Sequence, residues 1–330
     1  MSAAPRLEGL DALRGIAALL VVGLHANAVF GGQPWFAKGY LAVDFFLMLS
    51  GFLMVRITEP KLAAGAPVGS WIAARYWRFW PMMALGGLIG LPYLSQRCGG
   101  GTDFALAAAA NFALLPYPCD RLIFPLNVPA WTIFFELVAN AVHVLVLWRM
   151  RTVWLAVLAL AALGLLFGLS VAQFGSFDIG ARPEHLAYTL PRVMFAYLLG
   201  MLLGRGAPGQ LAVPLPGGVA PLLLPFTLLA WVSGWWNWTF DFAYVALVCP
   251  LAIVAALKLE RAGRLGWFSA AIAFPLFAIH VPILEGARWL GYGVTVAVPI
   301  ALAATLVVVA WQHRARWTSR RNLHSDVIET

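Results

Sequence analysis

The sequence predicts an all-α fold, a polytopic membrane helix bundle of about ten transmembrane helices with the N- and C-termini cytoplasmic. Three observations carry that prediction. Of the 330 residues, 62% are hydrophobic and 11% charged, with a mean hydropathy of +0.83, a balance found in chains that live in lipid. The apolar residues come in runs near the ~20 residues that a helix needs to cross a bilayer. The basic residues fall between those runs and mostly on one side. A net charge of +8 and a pI near 9.8 would also suit nucleic acid. No segment gathers its basic residues into one long face, however, so they read as topology signals and no nucleic-acid partner is expected.

Taken in order, the spans are expected near 10–30, 39–56, 79–95, 131–148, 153–171, 187–204, 218–236, 239–257, 266–284 and 292–312. The first resembles a cleavable signal peptide, with a short apolar run followed by "ANA" at Ala26 to Ala28. No polar region precedes that site and Arg14 lies inside the run, so the segment reads as an uncleaved first span. The apolar stretch 104–115 is too short to cross comfortably and reads as an interfacial or re-entrant helix.

Charge tests that choice. With the N-terminus inside, the cytoplasmic segments collect fifteen basic residues: Arg6, Arg56, Lys61, Arg75, Arg78, Arg149, Arg151, Arg205, Lys258, Arg261, Arg264, Arg314, Arg316, Arg320 and Arg321. The outside segments and span ends hold six, namely Lys38, Arg97, Arg121, Arg182, Arg192 and Arg288. This is the asymmetry of the positive-inside rule. Making 104–115 a span would reverse everything after it. Residues 1–312 therefore read as one membrane body and 313–330 as a short cytoplasmic polar tail. That division leaves no room for a soluble catalytic domain, so any chemistry is expected within the membrane.

The first span carries Asp11, Arg14 and His25. A charge near the bilayer centre costs about 2.5–3.5 kcal/mol on insertion scales, so such residues usually face protein and often mark function. At about 100° per residue, His25 returns to within roughly 20° of Arg14, and Asp11 falls about 40° to the other side of His25. The three form one stripe. From the expected topology, His25, Asp44 in "GYLAVDFFLMLSGF" and Glu136 in "PAWTIFFELVAN" share a layer near the outer side. A histidine with carboxylates nearby has the parts of an oriented general base. Each member alone has a plainer reading: packing for His25, a solvated helix end for Asp44, a neutral buried acid for Glu136.

On the inside face, "ARYWRFWP" puts Arg75 and Arg78 three apart, on one side of a helical turn. They read either as topological anchors in an aromatic belt or as an anion site whose guanidinium forks hold phosphates, with Arg14 adding to it. The remaining polar residues are weaker candidates. His143 lies on the Glu136 face and is expected in buried hydrogen bonding, His280 sits near the outer end of the ninth span, and Ser50 most simply bonds to its own backbone. Trp35, Trp235, Trp236 and Trp238 suit an interface, or stacking on sugar.

The three cysteines show no metal-ligand spacing, and no metal is expected. Cys98 and Cys119 share the long outside connection 95–130, where an oxidising compartment would let them bond. Cys249 lies within a span and is expected to be inert.

The segments "RLEGLDALRGIAALLVVGLHA", "GYLAVDFFLMLSGFLM", "RYWRFWP" and "WTIFFE" together resemble the acyltransferase-3 family of bacterial integral membrane O-acyltransferases, over essentially the whole chain. The resemblance implies a multi-pass protein of the bacterial cytoplasmic (inner) membrane that O-acylates an extracytoplasmic glycan or glycolipid, with acetyl the expected group. It implies that Arg14 and His25 line the donor path and that His25 is essential. It also implies that Arg75 and Arg78 meet the phosphates of acetyl-CoA or another acyl-CoA, and that Glu136 is the acid of the tryptophan-led motif. Thr132 stands where many members have Ser. Some members carry an extracytoplasmic hydrolase-like domain; here the membrane body would complete the transfer or pass the group to a separate partner.

On that reading His25, tuned by Glu136 or Asp44, deprotonates an acceptor hydroxyl, a role typically worth 10²–10⁴-fold. A covalent acyl-enzyme relay is the other route. A proton-coupled transporter using the same buried groups is the alternative of another class. It accounts for the buried charges but leaves the arginine pair without a purpose.

Overall fold

The computed structural model describes residues 7–32, 34–206, 214–228, 230, 237–259 and 263–328, with side chains described as far as 315. Arg6, Arg261, Trp235 and Trp236 lie outside the described residues, as do the side chains of Arg316, Arg320 and Arg321. Among the described residues the regular structure is helical. Helix α1 (Glu8–Phe30) has 23 residues and is about 35 Å long, enough to cross the ~30 Å hydrocarbon core. A 3₁₀ segment, Pro34–Tyr40, feeds α2 (Leu41–Leu53), which continues through a π-helical turn, Met54–Thr58, to Ala63.

Next come α3 (Val68–Cys98), α4 (Gly101–Phe112), α5 (Ala130–Leu145), α6 (Thr152–Leu165), α7 (Leu186–Arg205) and α8 (Gly217–Leu228). The series ends with α9 (Trp238–Leu257), α10 (Gly263–Trp289) and α11 (Val294–Ile328).

Seven of the described helical stretches are long and apolar enough to cross a membrane: those built on α1, α2, α6, α7, α9, α10 and α11. The other three expected spans are covered differently. The third lies within α3, whose 31 residues begin well before the apolar run. The fourth is α5, only 16 residues long. Of the seventh, the helix Gly217–Leu228 is described. The stretch 104–115 is largely the short helix α4, in keeping with its length.

Small residues set how closely the helices pack. α2 lies against α7, and α1 against α10, which also contacts α3 and α11. At the α2–α7 crossing, a Cβ on Gly51 would lie 2.1 Å from the Tyr197 carbonyl oxygen, and one on Gly200 1.9 Å from that of Met48. No side chain fits there, and backbones that meet this closely are a usual solution where lipid supplies no hydrophobic drive between helices. Outward, Leu160, Leu222, Val307 and Trp311 are all about two-thirds exposed, as side chains facing lipid would be.

The connection between α4 and α5 folds inward. Ile123, Phe124, Leu126 and Asn127 are buried. Asn111 accepts from the Leu126 backbone N–H, and the Asn127 amide donates to the Ala278 carbonyl of α10. α5 therefore starts inside the bundle. Cys98 and Cys119 are joined by a disulfide across a Cα separation of 5.4 Å, and Arg97 beside it pairs with Glu285 of α10. Cys249 is buried and free.

Candidate active site: two chambers meeting at Thr132 and Phe277

The stripe on α1 faces two cavities in succession. Asp11 and Arg14 line the larger, of about 1160 Å³, and His25 lines the smaller, of about 350 Å³. Thr132 of α5 and Phe277 of α10 belong to the walls of both. Eleven helical residues, about 16 Å of rise, separate Arg14 from His25, so one helix serves both chambers.

The larger cavity is cationic. Arg14, Arg56, Lys61, Arg75, Arg78 and Lys258 line it, against Asp11 and Glu136. Its volume lies a little above the range of about 300–1,000 Å³ that encloses drug-sized ligands. Because α3 is already helical at Val68, Arg75 and Arg78 sit one turn apart on its cavity side. Arg75 Nη2 donates to Glu136 Oε1 at 2.8 Å, and Ser50 Oγ donates to the same oxygen at 2.8 Å. Arg14 donates to Asp11 at 2.7 Å. Arg78 makes no hydrogen bond among the described residues and is exposed to the cavity. The excess of guanidinium over carboxylate suits a polyanion.

The smaller chamber has a different chemistry. Beside His25 its wall includes Trp131, Ser176, Asp178, Arg182 and His185. His25 Nδ1 lies 3.0 Å from the Val21 carbonyl oxygen and 3.0 Å from His280 Nε2. His280 is fully buried, with Nδ1 2.9 Å from the Leu276 and 3.0 Å from the Phe277 carbonyl oxygens.

The expected layer of His25, Asp44 and Glu136 is therefore divided. Asp44 is gripped by Arg192, whose Nε and Nη2 donate to its two oxygens at 3.0 and 2.6 Å, both side chains being 1% exposed. Glu136 belongs to the cationic cavity, because the inward fold of the preceding connection starts α5 deeper than a helix counted from the surface. The partner of His25 is a second imidazole instead of either carboxylate. Ser50 bonds Glu136, not its own backbone, and His143 takes part in a buried network with Tyr197, 3.1 Å away, as its expected structural role requires.

Two of the basic residues assigned by topology also turn out to be internal. Arg192 pairs with Asp44, and Lys38, 3% exposed, pairs with Asp241 at 2.6 Å. Tyr40 donates to Asp241 as well. Together these groups hold the wall of the smaller chamber: Arg192 donates to the Ile179 carbonyl at 2.7 Å, and Asp241 accepts from the Phe177 N–H at 2.9 Å. Asp241 carried a readable signal, a carboxylate inside an apolar span, which marks function or a buried partner. Among the described residues no cluster of three potential metal ligands occurs.

A family model described as an acyltransferase domain, Acyl_transf_3, matches residues 7–312. Protein 2 in the picA locus of Rhizobium radiobacter is 34% identical over 186 residues, a match covering 50% of this chain and 94% of that protein. No solved structure matches. With the family model spanning both chambers and every helix that lines them, the chain belongs to the acyltransferase-3 family, whose resemblance its motifs carried.

Proposed function

We propose that this membrane acyltransferase moves an acyl group, acetyl in the simplest case, from a cytoplasmic acyl-CoA to a hydroxyl of an extracytoplasmic glycan or glycolipid, in the bacterial cytoplasmic membrane. The observation that carries the reading is the pair of chambers with different chemistry and a shared wall at Thr132 and Phe277. The cationic cavity suits the phosphates of coenzyme A. Arg78 offers an uncommitted guanidinium, and Arg75 one held in place by Glu136. The smaller chamber suits a hydroxylated acceptor, with the Trp131 ring as an apolar face and Ser176, Asp178 and Arg182 as hydrogen-bonding groups. The positive-inside bias supports a cytoplasmic opening for the cationic cavity.

In the proposed reaction His25 takes the proton of the acceptor hydroxyl as its oxygen attacks the thioester carbonyl carbon. The C–S bond breaks and the departing thiolate takes the proton from His25, so the reaction leaves the enzyme unchanged. Arg14, on the same helix and facing the donor cavity, lines the path between them. Glu136 serves through Arg75, and Asp44 through Arg192 and the chamber wall, so neither carboxylate touches the reacting atoms.

The test is purified protein in lipid nanodiscs, incubated with acetyl-labelled acetyl-CoA and a glycolipid extract of bacterial envelopes. Label appearing in the glycolipid fraction, dependent on the protein, is the expected result. Protein that neither binds nor consumes acetyl-CoA would contradict the reading.

A further inference from the structure

The contact between His25 and His280 determines where the protons on both rings lie. Carbonyl oxygens only accept, and His280 Nδ1 faces two of them, Leu276 O at 2.9 Å and Phe277 O at 3.0 Å. Nδ1 of His280 therefore carries the hydrogen, and in the neutral ring Nε2 is left with a lone pair. That lone pair lies 3.0 Å from His25 Nδ1, which is also 3.0 Å from the Val21 carbonyl oxygen. Two acceptors face one nitrogen, so His25 Nδ1 bears the hydrogen and shares it between them. A doubly protonated His280 would need the opposite arrangement, with a bare His25 Nδ1 set against the Val21 carbonyl, lone pair to lone pair.

This leaves Nε2 of His25 unprotonated, with no hydrogen bond among the described residues, on a residue that lines the smaller chamber. A general base needs that state at that place. In the familiar catalytic triads a carboxylate sets the tautomer of the histidine. Here, among the described residues, no carboxylate hydrogen-bonds to His25, and the group in that position is a fully buried imidazole anchored by two carbonyls of its own helix. α1 and α10, which pack along their length, bring the two rings together from positions 255 apart in sequence.

We propose that His280 is the positioning residue of the acyl transfer: it accepts from His25 Nδ1–H and so holds His25 in the tautomer whose free Nε2 removes the acceptor's proton. The proposal rests on the proposed acyltransferase reaction for its consequence, but its structural content, the tautomer, does not. When His25 Nε2 is protonated, His280 Nε2 is placed to strengthen its hold on the Nδ1 proton, so the positive charge is shared between two rings. The proton later leaves from Nε2 to the thiolate and both rings return to their starting state. His280 keeps its own Nδ1 proton throughout and relays none.

The experiment has two arms. In the first, full-length protein with ¹⁵N-labelled histidine is placed in nanodiscs, and the protonation of each ring nitrogen is read by NMR, with His25→Ala and His280→Leu used to assign the signals. His25 protonated at Nδ1 and bare at Nε2 supports the proposal, and the reverse tautomer overturns it. In the second, transfer from labelled acetyl-CoA is measured for His280→Leu and His280→Gln. Leucine offers no acceptor, whereas the glutamine amide oxygen can reach the position of Nε2. His280→Leu should lose about 10²-fold in kcat, within the range general-base catalysis supplies, with the KM for acetyl-CoA unchanged. His280→Gln should recover most of that loss. A fully active His280→Leu overturns the proposal, as does a His280→Gln no better than the leucine variant. If the wild-type protein itself transfers no label, the acyltransferase reading fails while the NMR arm still decides the tautomer; a His25→Ala variant that transfers normally overturns the general-base role of His25 and the proposal with it.

Discussion

Arg78 offers the cleanest probe of the cationic cavity, since it lines the cavity and makes no hydrogen bond among the described residues. Arg78→Ala should raise the KM for acetyl-CoA about tenfold, the effect of losing roughly 1.4 kcal/mol of charge-assisted contact to a phosphate. The KM for the acceptor should stay constant. Calorimetry showing unchanged donor affinity would make Arg78 a topological anchor only. Arg75 is a less direct probe, because its removal also strips Glu136 of its ionic partner. The sequence offered Arg75 and Arg78 as one helical face, open between an anchor and an anion site, with Arg14 as an addition, and all three line the same cavity. It did not show the partners of the acids. Asp44 and Arg192 are 148 positions apart and His25 and His280 are 255 apart, and no periodicity within one helix reports which helix lies opposite.

Helix pairs give these residues their surroundings. Asp44 and Arg192 are both nearly inaccessible, so removing one partner leaves an uncompensated buried charge, at a cost of about 3–5 kcal/mol. Asp44→Asn should therefore lower the thermal unfolding midpoint in detergent, and combining it with Arg192→Leu should recover part of the loss. A single variant as stable as the wild type would remove the pair from the framework. At the same crossing, Gly200→Leu would drive a side chain into the Met48 carbonyl and separate α2 from α7. The expected outcome is a sharp fall in the yield of folded protein; normal yield would show that the crossing can open. The elements themselves were largely legible, because spans of about 20 apolar residues leave little choice of structure. The depth of α5 was not, because it depends on buried contacts of the preceding connection with Asn111 and Ala278, which no local pattern encodes. The same cause moved Glu136 from the histidine to the arginines.

For the whole molecule, the disulfide and the chambers bear on one question, which face of the protein meets which compartment. The Cys98–Cys119 bond, anticipated from the shared loop of the two thiols, closes a loop of 21 positions. In the chain-entropy model such a bond contributes about 3 kcal/mol. Without reductant neither cysteine should take an alkylating label, and after reduction both should be labelled, with a lower unfolding midpoint. Labelling of both in unreduced protein would deny the bond and its oxidising side. The division of labour between the chambers can be read in a single variant. For His25→Ala in nanodiscs, acetyl-CoA binding by calorimetry and label transfer to acceptor are measured on the same preparation. Binding should match the wild type, because the proposed phosphate site at Arg75 and Arg78 lies in the other chamber, while transfer should fall by 10²-fold or more. Transfer at the wild-type rate by a variant that still binds acetyl-CoA would contradict the assignment of the chemistry to His25.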